Sequence, residues 1–453
     1  MSARWRWAPI AAALFASGCG GESGAEYGRL HAAQRAYWQA LRAQERLDIY
    51  PSHARAQACL ADYLAVARAY PATALPRPLP ADQREAPSAK IARVGAMAAL
   101  GAAAIHWELG EREAALALLG SCLREDLPLG ALAERRLRVT LSGYLRELGR
   151  RREAAAVLGS LLVGLAPGLE PGDAAYPDAE LLGLCPQLAD LALAAGDSLL
   201  KAEVAGRLSE FLGRLRRDYA GQEPAYQGLH TWAETAPRLG RWEDAEAALA
   251  ELARGFPTRE PGRAELQRAR LLIARLERAA EGEAVLVGLA AGDSEAAVPA
   301  GLEYLRVLLR QGRLGELPSR LEHLHRRVRT REDRAELLYL WGHYEARLGT
   351  WDAARQRWEV AATELPTTPY GMEAQLAVAR VWAERGEPRF AARSLARLFE
   401  ACRRNTRRLP GSEEAGVSLA LEARADSLLG TLPATEEAVR GLLARRPPAR
   451  EGS

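Results

Sequence analysis

The sequence lacks several features that would place it in a common class. It contains no run of eighteen consecutive apolar residues, so we expect no transmembrane helix. Valine, isoleucine and threonine are scarce, which leaves few segments suited to β-strands. Neither sign of charge dominates, because 61 lysines and arginines stand against 58 acidic residues, a formal net charge of +3. Such a nearly neutral chain is a poor electrostatic match for nucleic acid, so we expect no nucleic-acid partner.

The sequence also lacks the short motifs that indicate catalysis or cofactor binding. There is no Gly-rich phosphate loop, no HExxH, no Gly-x-Ser-x-Gly elbow and no CxxC. His323 and His325 are two residues apart and would face different sides of a helix. His230 and Glu234 form one i,i+4 pair without a third ligand. We therefore predict no metal, no cofactor and no enzymatic activity.

Helix-forming residues, chiefly alanine, leucine, arginine and glutamate, are abundant instead. A chain of 453 residues exceeds the usual size of one compact core, so several domains or an extended repeat array are expected. The clearest repeat covers residues 338–366, LYLWGHYEARLGTWDAARQRWEVAATELP. This stretch is predicted to form two short amphipathic helices joined by a turn at Gly349.

Each conspicuous residue of this hairpin has a packing role. Gly342 and Ala354 are small, so the two helix axes can approach closely. Gly349 supplies the left-handed conformation that ends the first helix, and Pro366 stops the second. Three tryptophans are expected to fill the space between the crossing helices: Trp341, Trp351 and Trp358.

This spacing resembles the tetratricopeptide repeat (TPR), a helical hairpin of about 34 residues. The matching positions are Leu338, Trp341, Gly342, Gly349, Trp351, Ala354, Trp358, Ala361 and Pro366. Glu345 stands where a tyrosine is usual. The resemblance implies an all-α fold, a right-handed TPR-like α-solenoid of stacked antiparallel helix hairpins. One hairpin cannot bury its own apolar face, so neighbours must stack on both sides.

Further hairpin turns recur at irregular steps along the chain. Turns are expected at Gly110, Gly149, Gly196, Gly240, near 280–282, and at Gly312, Gly349 and Gly386. The hairpin around Gly240 repeats the same residue pattern, and Pro237 should shorten its first helix. Six tryptophans fall in core positions of hairpins: Trp232, Trp242, Trp341, Trp351, Trp358 and Trp382. Trp38 and Trp107 have no assigned position.

Four cysteines of the predicted helical region are far apart in sequence: Cys59, Cys122, Cys185 and Cys402. In an oxidising compartment they could pair in three ways. Cys122, however, occupies a small-residue position of a second helix, and distant residues of a repeat array rarely touch. We therefore favour buried free thiols that pack as small hydrophobic side chains.

The N-terminal stretch has the three-part plan of a secretory signal, with a basic start, an apolar stretch too short to span a bilayer, and small residues. Its end, Ala16-Ser17-Gly18-Cys19, resembles a bacterial lipobox. The resemblance implies that Cys19 becomes the N-terminus and carries a diacylglycerol thioether and acyl chains such as palmitate. Gly20, rather than an aspartate, implies the outer membrane, facing the periplasm. The alternative is an ordinary cleaved signal with an incidental cysteine.

These features divide the chain into seven predicted segments. They are the signal peptide 1–18, a lipidated tether 19–26, an N-terminal helical hairpin 27–70, a Pro-rich loop 71–87, the TPR-like array 88–405, C-terminal capping helices 406–445 and a disordered tail 446–453. Removal of the signal peptide would delete Arg4 and Arg6 and leave a net charge of +1, since no acidic residue is lost.

In the TPR family, the first helices of the hairpins line the binding groove. The residues projected onto that lining are Arg146, His230, Glu234, Arg238, Arg306, Arg310, Tyr339, His343, Arg347, Arg380 and Glu384. Arginine offers a planar fork for carboxylates, so an extended peptide with an acidic side chain or a free C-terminus is the expected ligand. The alternative is that these are ordinary solvated helix faces of an arginine-rich chain.

The linker 366–374 is similar to the links between repeats in envelope proteins such as the outer-membrane assembly lipoprotein and the cell-division coordinator. We therefore predict a lipid-anchored cell-envelope scaffold that binds other envelope proteins or peptides and reaches the membrane through the lipid on Cys19. The first alternative is a glycan- or nutrient-binding lipoprotein that partners an outer-membrane transporter. A lytic transglycosylase with a superhelical domain is disfavoured, because no residues remain for a catalytic domain.

Overall fold

A computed structural model of the protein describes residues 24–71, 86–123, 131–162, 177–408, 412–433 and 437–444. Within these ranges the regular structure is helical and contains no strand, which confirms the all-α prediction. The chain forms two compact units, Met1–Ala248 and Leu249–Ser453. The signal peptide, Cys19, most of the 71–87 loop and the tail 446–453 lie outside the described residues.

The first unit is built from helices that run antiparallel in pairs. They are α1 (Gly24–Ile49), α2 (His53–Ala69), α3 (Pro87–Glu108), α4 (Arg112–Cys122), α5 (Ala131–Glu147), α6 (Arg151–Gly159), α7 (Ala179–Leu182), α8 (Leu184–Ala195), α9 (Ser198–Asp218), α10 (Glu223–Thr235) and α11 (Trp242–Gly255), which crosses the unit boundary. The predicted turn glycines Gly110, Gly149, Gly196 and Gly240 all have positive φ, between 67° and 83°. Only glycine adopts this conformation at little cost, which is why the sequence located these turns.

Side chains at helix ends explain several other boundaries. The Ser52 hydroxyl accepts a hydrogen bond from the Arg55 amide at 3.3 Å and caps α2, as expected from the sequence. Asp197 caps α9 in the same way. Pro237 ends α10 at Thr235 and begins a short 3-10 helix, Pro237–Leu239, which confirms the predicted shortening.

Helix α3 is a long, mostly apolar helix of the first unit, and most of its residues are buried. By length and mean composition it could cross a bilayer, although it contains Lys90 and Arg93 and no run of eighteen consecutive apolar residues. Its apolar character has a packing cause, because both α1 and α2 lie against it and most of its residues are buried. At Gly101 an added Cβ would lie 2.7 Å from the Tyr63 ring, so the N-terminal hairpin packs directly on this helix.

The second unit continues with helices joined by short turns. They are α12 (Arg263–Ala274), α13 (Ala279–Ala291), α14 (Ala297–Gln311), α15 (Leu317–Arg327), α16 (Arg331–Arg347), α17 (Trp351–Glu364), α18 (Pro369–Glu384), α19 (Pro388–Arg408), α20 (Glu413–Thr431) and α21 (Glu437–Ala444). The predicted turn glycines Gly312, Gly349 and Gly386 have φ between 71° and 79°. The Thr368 hydroxyl caps α18 by accepting from the Gly371 amide at 3.2 Å. Each unit is therefore a TPR-like array of stacked antiparallel hairpins.

The turn predicted near 280–282 is misplaced. The chain reverses earlier, at Glu277, whose φ is 55°, and α13 has already begun at Ala279. Gly282 lies inside that helix, where an added Cβ would be 2.5 Å from Ile273 Cγ1. Its small size serves the close approach of α12 and α13 rather than a turn, and sequence alone does not distinguish these two uses of glycine.

The tryptophans of the clearest hairpin are not equally buried. Trp358 is buried, its indole packs on Gly342, and its Nε1 donates to the Tyr339 carbonyl at 3.0 Å. Trp341 is half-buried under the guanidinium of Arg357. Trp351 is 41% exposed, so the prediction that it fills the space between the helices is wrong. It lies in the first turn of α17, one turn before the buried Ala354, at the end of the hairpin.

The remaining tryptophans divide in the same way. Trp232 is buried, while Trp242 and Trp382 are half-buried. Of the two without an assigned position, Trp107 stacks on Tyr144 with ring centroids 4.0 Å apart, whereas Trp38 is exposed beneath Arg42. The expectation that hairpin tryptophans serve the core holds for most of the six but not for all.

The cysteines of the described residues are free and buried, as favoured from the sequence: Cys59, Cys122, Cys185 and Cys402. Burial raises the pKa of each of these thiols, and that of Cys185 reaches about 12. Buried protonated thiols are poor nucleophiles, so these cysteines pack rather than react.

Candidate functional site

The predicted groove residues lie on or just after the first helices of the hairpins, here called the A helices. In the first unit these are Arg146, His230, Glu234 and Arg238. In the second unit they are Arg306, Arg310, Tyr339, His343, Arg347, Arg380 and Glu384.

The first unit contains a cleft of about 510 Å³ between α10 and the segment formed by α7 and α8. One wall is a single face of α10, with residues three and four apart: Tyr226, Gln227, His230, Thr231, Glu234 and Thr235. Arg238 lies at the end of this wall. The facing wall is apolar: Ala179, Leu182, Gly183 and Pro186. The cleft therefore has one polar and one apolar side.

Of the charged side chains that line this cleft, Arg238 has a close ion-pair partner and Glu234 does not. The Arg238 guanidinium donates to the carboxylate of Asp190 on α8, so its charge is balanced within the unit. Glu234 has a side chain 65% exposed, and its nearest partner is His230, with Nδ1 3.6 Å from Oε1. The Tyr226 ring centroid lies 6.4 Å from that of His230. Arg146 is exposed in the last turn of α5 and does not line this cleft.

In the second unit, Arg306 joins three consecutive A helices. Its guanidinium donates to Glu303 on the same helix at 2.5 Å, to Glu336 on α16 and to the Tyr370 hydroxyl on α18. The side chains of Glu303 and Glu336 are nearly buried. Burial raises the pKa of Glu336 to about 6, and the charge of Arg306 opposes that rise. Arg306 therefore uses most of its N–H donors for hydrogen bonds within the second unit, which leaves few of them for a ligand.

Two predicted aromatic residues lie beside this network. Tyr339 and His343 contact each other edge to face, with ring centroids 4.6 Å apart. His343 makes a second edge contact with Trp358 at 5.1 Å. Burial lowers the pKa of His343, and the neighbouring Arg347 and Arg380 lower it further against the opposing effect of Glu373. The pKa of His343 therefore lies below its usual value, and the ring packs against Tyr339 and Trp358.

The outermost predicted residues are exposed. Arg347 on α16 and Arg380 on α18 make no hydrogen bond or ion pair within the part of the chain that the structure describes, and neither does Glu384. Arg310 is 64% exposed and lies 3.6 Å from Glu303. Two adjacent A helices therefore present arginines whose charges are free to meet a ligand.

Sequence reasoning missed several residues of both sites: Tyr226, Thr231, Thr235, Glu303, Glu336 and Tyr370. Tyr226 lies four residues before His230 and Glu234 four after it, so a helical projection from His230 would have found the α10 wall. Tyr370 gives no such signal, because its partner Arg306 lies 64 residues away in the chain.

Metal binding finds no support in the described residues, which contain no cluster of three histidine, cysteine, aspartate or glutamate side chains able to hold an ion. His230 and Glu234 remain a pair. The absence of a cofactor and of enzymatic activity stays a prediction.

Comparisons with known proteins assign the chain to no family. No protein family and no curated protein matches the sequence. Among solved structures, PilW, described as a widely conserved type IV pilus biogenesis factor, is 15% identical, with a TM-score of 0.34 over 53% of this chain and 100% of its own. Yeast Tom70 is 10% identical, with a TM-score of 0.33 over 97% of this chain and 99% of its own. Human IFIT1 bound to m7Gppp-AAAA is 14% identical, with a TM-score of 0.31 over 77% and 80%. At these values no function is transferred.

Proposed function

We propose that this chain is a lipid-anchored cell-envelope scaffold that binds partner proteins through the exposed faces of its A helices. The observation that supports this most directly is the pair Arg347 and Arg380. They lie on adjacent A helices, flank His343 and have no ion-pair partner among the described residues. Unpaired arginines beside a packed aromatic layer suit a carboxylate of an extended partner segment, because the guanidinium fork matches a carboxylate and no internal ion pair has to be broken.

The test of this surface is a double charge reversal, Arg347→Glu with Arg380→Glu. We expect capture of envelope partners, measured by crosslinking in living cells and mass spectrometry, to fall at least tenfold. Folding should be retained, because both side chains are exposed and make no hydrogen bond among the described residues. Arg397→Glu is the matched control, since this exposed arginine lies on the second helix of its hairpin, α19. Unchanged capture by the double variant would remove the support for this surface.

The membrane anchor is a second, separable part of the proposal. It rests on the resemblance of residues 16–19 to a lipobox, and an anchor of two or three acyl chains would hold the protein firmly on a bilayer. Cys19→Ser should move nearly all of the protein from the membrane pellet to the soluble fraction. A Cys59→Ser variant is the control, because that cysteine is buried and lies outside the lipobox-like sequence. A Cys19→Ser protein that still sediments with membranes would contradict the anchor.

The glycan-binding alternative keeps one observation in its favour. Trp351 is exposed at the end of its hairpin, with Leu348 also exposed beside it in sequence. An exposed indole face can stack on a sugar ring. Quenching of tryptophan fluorescence by oligosaccharides that disappears in Trp351→Leu would favour this alternative over peptide binding.

A further inference from the structure

The cleft of the first unit differs in chemistry from the arginine pair of the second. Its polar wall carries one arginine, but Arg238 already donates to Asp190. Glu234 is largely exposed and has only the 3.6 Å contact with His230. The charge left for a ligand in this cleft is therefore negative, although the sequence suggested an arginine-rich lining.

The same wall holds two further groups that an extended partner segment can contact. Tyr226 presents an aromatic ring eight residues, about two helical turns, before Glu234. Thr235 is 1% exposed, lies in the wall of the cleft, and its hydroxyl makes no hydrogen bond to any residue in the described ranges. A ligand N–H that enters the cleft could donate a hydrogen bond to this hydroxyl.

The opposite wall of the cleft determines which side chains can lie beside the charged group of a ligand. Leu182 and Pro186 are apolar, and Ala179 and Gly183 are small, so this side fits aliphatic groups rather than a second charge. A volume of about 510 Å³ exceeds one side chain and accommodates a few residues in extended form.

From this geometry we infer that the cleft binds an extended segment of a partner protein by an arginine or lysine side chain flanked by apolar residues. The cation lies against the Glu234 carboxylate, and the apolar neighbours pack on Leu182, Pro186 and the Tyr226 ring. The inference rests on the proposed scaffold function and adds that the first unit selects a basic partner segment, whereas the second presents arginines. Charge complementarity is the argument for this occupant.

The probes are three dye-labelled, C-terminally amidated pentapeptides that differ only at the central position: Ala-Leu-X-Leu-Ala with X as arginine, citrulline or glutamate. Citrulline has nearly the shape of arginine without its charge. With the full chain in detergent micelles, fluorescence anisotropy should show the arginine peptide binding at least tenfold more tightly than the other two. Equal binding of all three, or preference for the glutamate peptide, would overturn the inference.

Three variants locate the binding. Glu234→Gln should reduce the preference for arginine over citrulline at least fivefold, while Glu243→Gln, an exposed glutamate on α11, should leave it unchanged. Arg238→Gln frees the Asp190 carboxylate beside the cleft, so the arginine peptide should bind two- to fivefold more tightly. A loss of affinity in Arg238→Gln, or an unchanged preference in Glu234→Gln, would contradict the proposed orientation of charge.

These outcomes are distinct from failure of the scaffold function. If the peptides show no preference while the Arg347 and Arg380 double variant still loses its envelope partners, the cleft inference falls and the scaffold stands. If the arginine peptide is selected but neither surface affects partner capture in cells, the cleft chemistry stands and the scaffold function falls.

Discussion

Gly342→Ala is expected to destabilise the second unit by about 3 kcal/mol, although alanine is the better helix former. An added Cβ would lie 2.6 Å from Trp358 Cδ1 and closer still to Nε1. The indole is a rigid ring, buried and hydrogen-bonded to the Tyr339 carbonyl, so it cannot move aside without losing that bond. Urea unfolding gives the free energy, and hydrogen exchange over residues 331–364 should show lost protection in α16 and α17.

Gly288→Ala is the matched control for this change. Gly288 also lies inside a helix of the second unit, α13, but an added Cβ there would meet nothing within 4 Å. Only the higher helix propensity of alanine then affects stability, and we expect the free energy of unfolding to rise by roughly 0.5–1 kcal/mol. If both variants are stabilised alike, the close packing of Trp358 on Gly342 does not exist in solution.

The second large effect is expected for Arg306→Met. This change leaves Glu336 nearly buried without its counter-ion, and removal of one partner from a buried ion pair costs about 3–5 kcal/mol. We expect about 3 kcal/mol at pH 8, because the Arg306 side chain retains some exposure. Arg310→Met, one turn along the same helix, removes a largely exposed arginine and should cost less than about 0.5 kcal/mol.

The same network predicts a dependence on pH. Burial raises the pKa of Glu336 from 4.5 to about 6, so the folded chain holds this proton more tightly than the unfolded chain. The corresponding stability is fully present below pH 4.5 and is lost as the pH rises through 6, a difference of roughly 2 kcal/mol. Without Arg306 the pKa of Glu336 should rise further, so the cost of Arg306→Met should be larger at pH 8 than at pH 5. If Arg306→Met lowers the free energy of unfolding equally at pH 5 and pH 8, Arg306 does not stabilise the fold by compensating the charge of Glu336.

The repeat architecture was predictable because its determinants are local. Glycine at Gly110, Gly240 or Gly349 permits a left-handed conformation whatever surrounds it. Ser52 and Pro237 act on neighbouring backbone groups. The turn near 280–282 was misplaced because Gly282 serves a contact between helices, and a glycine in a sequence does not reveal which role it has.

For the functional surfaces, the sequence predicted only which residues share a helix face, not which of them are exposed or already paired. Periodicity placed His230, Glu234 and Arg238 in one line, and the structure shows them in one cleft. It did not reveal that Arg238 is neutralised, because Asp190 lies 48 residues earlier in the chain. Nor did it separate the exposed Arg347 from the largely engaged Arg306.

By itself, the sequence determined that the chain is helical, where most of its hairpins turn, and which residues share the face of each A helix. These properties depend on backbone conformations and spacings within a few residues. Only the tertiary structure decided which arginines are already paired, that Trp358 is buried while Trp351 is not, and that the first cleft is left with a negative charge. Burial and ion pairing are set by residues far apart in the chain, such as Arg306 and Tyr370, and no local pattern encodes those distances.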